Sequence, residues 1–173
     1  QWVEPDAGGE VTNLPGHNSS YRREALLGFE PDLLDWLEAE SLLHRALAAR
    51  GWRLVLTPKA RSYHFSLSRP SSWLAATYFQ YRVFGGRRLA GAGVAKRALY
   101  VAAVPLIPAI RLPRILRDAR RSRSGPSLLR TLPALTLSLV VSALGEAIGY
   151  ALGPGDAPIA MRGYEFRRDL HVN

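Results

Sequence analysis

Two short stretches of this chain carry side chains able to do chemistry on a polar ligand. The first, "DWLEAESLLHR" (residues 35–45), holds Asp35, Glu38 and Glu40. Three carboxylates this close cannot all be buried and ionised without partners, so they lie at the surface or line a polar cleft. At a helix start facing a cleft, such a carboxylate can take the proton of an attacking hydroxyl if its pKa suits. The same acids would also simply decorate the positive end of the helix dipole. The second stretch, "LPGHNSSYRR" (residues 14–23), places a tight turn ahead of His17, Asn18, Ser19 and Ser20, with Arg22 and Arg23 behind them. Gly16 lets the backbone approach a ligand closely, and the following side chains offer donors and acceptors. Ser20 reads equally well as a helix N-cap with Glu24 as its approximate capping partner. Farther on, His64 follows a predicted strand. It is either a metal or phosphate ligand or an exposed strand-end histidine, since one imidazole does not make a metal site.

The elements that must position these groups are short. Residues 1–20 are turn-rich, with Gly8-Gly9 and Pro15-Gly16 as breakers, and read as the middle of a longer polypeptide. Residues 21–64 read as compact α/β material. A short helical piece starts near Ser20 and is interrupted by Gly28. A longer helix runs from about Asp35 to Arg50, acidic in its first turns and basic late, with Gly51 as its stop. "WRLVLT" then reads as a strand ended by Pro58.

Beyond residue 65 the character changes. "SWLAATYFQYRVF" is aromatic and amphipathic, and "GGRRLAGAGVAKR" reads as a Gly- and Arg-rich connector. "ALYVAAVPLIPAI" (98–110) is too short to span a bilayer and carries two prolines, which suits a re-entrant or interfacial hairpin or a buried segment. Arg111, Arg114, Arg117 and Arg121 share one face of a predicted basic helix suited to anionic headgroups. "LPALTLSLVVSALGEAIGYAL" (132–152) is apolar apart from Glu146 and a few hydroxyl residues, and is the transmembrane candidate. Glu146 is costly at mid-depth, so a buried helix of a soluble core is the competing reading. Three regions result: 1–68, 69–125 and 126–173.

Charge is segregated along the chain. Residues 1–41 hold nine of the fourteen acids, whereas residues 42–145 hold only Asp118 against eighteen Lys and Arg. This places a carboxylate-rich site ahead of a basic face for phosphates or anionic lipid. Nucleic acid is set aside as a partner, because the basic helix lies between two apolar runs and no nucleic-acid motif accompanies it. The absence of Cys excludes a disulfide framework, a thiolate nucleophile and a Cys-based zinc site.

The ordered set Gly16-His17-Asn18-Ser19-Ser20-Tyr21-Arg22-Arg23, an acidic helix start, Arg45, then "ARGWRLVLTPKARSYH" resembles family 2 glycosyltransferases of the GT-A fold. The likeness covers residues 14–64 and extends weakly to "YFQYR" (78–82). It implies an α/β fold: the C-terminal part of a GT-A catalytic domain, acceptor side, followed by membrane-associated helices. It also implies Gly16, His17, Asn18, Ser19, Arg22 and Arg45 as acceptor- or substrate-binding residues, with His64 near a metal or diphosphate. The family's usual base, an Asp, falls at Ala39, so either Glu38, ahead of Glu40, takes the role, or the base is placed differently, or the chain is inactive. The implied reaction is single displacement at the anomeric carbon of a nucleotide sugar, with inversion, onto a glycan or lipid-linked acceptor. The implied divalent metal, Mg or Mn, would be bound by an N-terminal half with a D-x-D motif, which this chain does not contain. The expected setting is the cytoplasmic side of a membrane rich in anionic lipid. A non-catalytic membrane-anchoring or interaction module is the alternative, and Ala39 is the residue that favours it.

Overall fold

A computed structural model describes residues 8–14, 18–60, 66–121 and 125–172; for 118, 120–121 and 125–129 only the backbone is described. The chain divides into two compact units, Gln1–Phe65 and Ser66–Asn173.

The expected α/β class is overturned. The protein is 68% helical and its described sheet has two strands. β1 (Gly9–Val11) and β2 (Leu54–Leu56) pair antiparallel, with Glu10 opposite Val55. A GT-A fold needs a central sheet of many strands covered by helices. Here the predicted strand shrinks to three residues, with Leu54 alone facing the core.

Three helices complete the first unit: α1 (Arg23–Leu27), α2 (Leu33–Leu37) and α3 (Glu40–Ala49). The single helix expected over 35–50 is broken at Ala39, which leaves helical geometry at φ −130°, ψ 58°. The break lets α2 and α3 turn separately toward one core of Ala25, Phe29, Leu43, Leu47 and Leu54, with Leu33, Trp36 and Leu37 packed on it. At the end of α3, Gly51 takes φ +84°, open to glycine at little cost. The Trp52 amide then donates to Leu47 O at 3.1 Å and the Gly51 amide to Ala48 O at 3.0 Å, a Schellman closure. Arg50 reaches back to donate to Gly28 O at 2.8 Å and covers the Phe29 ring, tying the end of α1 to the end of α3.

The second unit is helical throughout: α4 (Pro70–Arg88), α5 (Val94–Ala102), α6 (Leu106–Arg121), α7 (Gly125–Leu152), α8 (Ala157–Phe166) and a closing 3-10 turn, Arg168–His171. The predicted Gly- and Arg-rich connector is mostly helix. Gly85 and Gly86 lie inside α4 because α7 passes too close for a side chain: a Cβ on Gly85 would stand 2.7 Å from Glu146 O. Gly145 and Gly149 do the same from α7, facing Tyr78 O and Arg82 O. Numbers rise together along both helices, so α4 and α7 run parallel. Close backbone approach over small residues of this kind typifies helices packed in a bilayer.

α7 has two faces. Leu139, Ser142, Ala143, Glu146 and Tyr150 are buried, whereas Leu137, Val140 and Leu144 are exposed. Ser142 satisfies its hydroxyl within the helix, donating to Leu139 O. Residues Arg130–Leu152 are long and apolar enough to cross a membrane. The apolar run 98–110 divides between α5 and α6, which are bent by 53° at a short break. Pro108 falls in the first turn of α6, where its missing N–H costs nothing. From α7 the chain returns along α4: Tyr164 of α8 meets Phe79, and Ser72 Oγ lies 2.9 Å from His171 Nδ1.

Candidate functional site

In the first unit, the residues singled out by chemistry do not all converge. Gly16, His17 and His64 lie outside the described residues. Asn18 Nδ2 donates to Ala60 O at 2.9 Å, tying the hydroxyl-rich segment to the turn after β2. Ser19 is half-buried and hydrogen-bonds the Tyr21 phenol. Arg22 instead pairs with Glu24 at 3.3 Å, both largely in solvent, where such pairs contribute little. Arg45 is exposed on α3.

The two candidate bases differ in setting. Glu38 is exposed at the end of α2. Glu40 opens α3, half-buried, where its charge complements the helix dipole and acts on Tyr21. Between them Ala39 is only 6% exposed, so the position assigned to the base by resemblance faces the core rather than a cleft.

The structure assembles a polar chain that the sequence reading did not find: Asn13, Tyr21 and His44. His44 is 1% exposed among the core leucines of α3. Its Nδ1 lies 2.6 Å from Asn13 Oδ1 and its Nε2 lies 2.8 Å from the Tyr21 hydroxyl. The Leu14 amide reaches Nδ1 only at 3.4 Å. The short contact decides the assignment: Nδ1–H donates to Asn13, and Nε2 accepts the Tyr21 proton. The Tyr21 oxygen is then left to accept from Ser19. A signal did exist in the sequence. His44 shares the apolar stripe with Leu43 and Leu47, and a histidine there requires partners from another segment.

Burial pushes the His44 pKa below its ordinary 6.5, keeping the ring neutral. It raises the Tyr21 phenol above its ordinary 10.0, with the Glu40 charge adding and the Ser19 bond opposing. The result is a fixed line of hydrogen bonds running from the core to Ser19. With Asn18 next to Ser19 in the chain and the Glu40 charge acting on Tyr21, it can present hydroxyl and carboxylate groups to a polyol. As a metal site it does not fit: among the described residues no three His, Asp or Glu gather as ligands.

Compared with protein-family models, curated proteins and solved structures, the chain matches none.

Proposed function

We propose that this chain is the acceptor-side, membrane-anchored portion of an inverting glycosyltransferase. The observation that supports this most is the wall made by Ser19, Tyr21 and Glu40, held in place by the buried His44. A sugar hydroxyl is both donor and acceptor, and such a wall supplies partners for each role. In the reaction, a carboxylate of the Glu38–Glu40 pair removes the proton of the acceptor hydroxyl. The freed oxygen attacks the anomeric carbon from the face opposite the leaving nucleoside diphosphate, which inverts that centre. Donor and divalent metal are assigned to an N-terminal half outside this chain, so no step here runs through a metal. Arg114, Arg117 and Arg130 precede the span and would keep that end on the cytoplasmic side.

The buried Ala39 favours a second reading, in which the unit anchors or docks without catalysis. Transfer assays on the whole polypeptide, with a panel of nucleotide sugars and lipid-linked or glycan acceptors, separate the two. Transfer that falls at least tenfold in kcat for Glu40→Gln or Glu38→Gln supports the enzyme. Wild-type rates in both variants would remove these carboxylates as the base, and no transfer at all would leave the anchoring reading.

A further inference from the structure

The second unit contains a charge cluster with no part in the proposed transfer. Glu146 of α7 is 1% exposed, and its Oε1 accepts from Arg111 Nη2 of α6 at 2.5 Å. Its Oε2 accepts from the Tyr150 hydroxyl, also at 2.5 Å. Arg88, in the last turn of α4, lies over the Tyr100 ring of α5 and acts on the same Tyr150 phenol. Tyr100 in turn meets Tyr150 edge to face. Four helices therefore bring two guanidinium groups to the Tyr150–Glu146 pair, Arg111 on the carboxylate and Arg88 on the phenol.

Among the described residues the cluster sets one acid, Glu146, against Arg88 and Arg111. Neighbouring Arg97 adds a third cation, its three guanidinium nitrogens directed at the carbonyls of Ala92, Tyr150 and Leu89. Among the described residues, Arg111 Nη1 is buried without an acceptor, beside the Tyr81 ring. A buried N–H donor without a partner is costly, and a guanidinium with a free edge matches phosphate oxygens. Glu146 lies six residues before Leu152, roughly 9 Å along the helix axis from the end of the span, within reach of a headgroup. Arg111 itself keeps 31% of its side chain exposed, so the site is open on one side. Leu99, Leu106 and Ile110 of α5 and α6 are exposed apolar surface on which a lipid chain can lie.

We infer that Arg88 and Arg111 form a binding site for the phosphate group of a membrane lipid, its chain running along the α5–α6 bend. The phosphate meets Arg111 from its exposed side and balances the second guanidinium, while Glu146 holds Arg111 through Nη2. This site stands apart from the proposed transfer chemistry, and its test does not depend on activity.

The whole chain, in detergent micelles, is titrated with dioleoyl phosphatidic acid, with dioleoylglycerol and with inorganic phosphate, and the bound lipid is counted by native mass spectrometry. Phosphatidic acid should be retained at least tenfold more tightly than dioleoylglycerol. Arg88→Gln, and the paired Arg111→Gln with Glu146→Gln that leaves no orphaned charge, should each abolish that preference. Arg114→Gln with Arg117→Gln, on the exposed basic helix, should leave it within twofold. An equal loss in that last variant would overturn the site in favour of diffuse attraction. Equal retention of the two lipids would sink it outright, and displacement of phosphatidic acid by millimolar inorganic phosphate would overturn the lipid assignment.

Discussion

Gly149→Ala tests the close packing of α4 on α7. A Cβ built there meets Arg82 O at 2.4 Å, Gly86 N at 2.8 Å and Gly85 C at 3.1 Å, all backbone atoms that cannot rotate away. Restoring ordinary contact means separating the helices by about 1 Å, a gap that forfeits a quarter to a half of each affected dispersion contact. Overpacking of this kind costs about 1–3 kcal/mol, and the backbone nature of the obstruction puts this variant at the upper end. Gly163→Ala is the matched control. It lies inside α8 with nothing within 4 Å of its Cβ position, so it should stabilise the helix by about 0.5–1 kcal/mol. Both variants are compared with the parent by thermal unfolding in one detergent, followed by far-UV circular dichroism. Opposite shifts are expected, down for Gly149→Ala and up for Gly163→Ala. If Gly149→Ala melts with the parent, the parallel α4–α7 contact is not as drawn.

Further outcomes are expected. Tyr21→Phe removes the donor to His44 Nε2, leaving a buried acceptor unpaired, and should cost the first unit about 1–3 kcal/mol by hydrogen exchange in α3. The first unit should be most stable between about pH 6.5 and 10. Below that window the unfolded chain takes up a proton that buried His44 resists, and above it the unfolded phenol loses one that Tyr21 keeps; a flat pH profile of unfolding would contradict the buried chain. Glu40→Gln should bring the Tyr21 pKa down toward its ordinary value, read by ultraviolet titration of the phenolate. Glu146→Ala should destabilise the second unit by about 3 kcal/mol, the low end for a broken buried pair because Arg111 is partly exposed. Arg111→Gln with Glu146→Gln should cost less than Glu146→Ala.

What could be read ahead of the structure was local. Gly51 ends α3 because one residue there must take positive φ, and a glycine announces that. The apolar run from Leu132 became α7 because its composition alone determines what it can face. "WRLVLT" has strand propensity, but a GT-A sheet needs several partner strands, and among the described residues only β1 pairs with it. The glycines at 85 and 86 were read as a connector, since their purpose appears only when α7 lies against them. The candidate site divides the same way. Glu38, Glu40, Asn18 and Ser19 are visible as residue types, but the His44–Tyr21–Asn13 chain depends on contacts between distant segments, and so does the burial of Ala39.

The parallel course of α4 and α7 also constrains how the protein is made. The glycine face of α4 leaves the ribosome long before its cover, because Gly85 and Gly86 meet Glu146, Gly153 and Pro154. Until that stretch is translated, α4 has a bare backbone seam and Arg82 has no Gly153 carbonyl to hold. The second unit therefore closes late, as α7 and then α8 come to lie along α4, rather than gaining an anchor after its body is finished. A chain truncated before Gly145 should accumulate as an unpacked, protease-sensitive species even though all of α4, α5 and α6 has been synthesised.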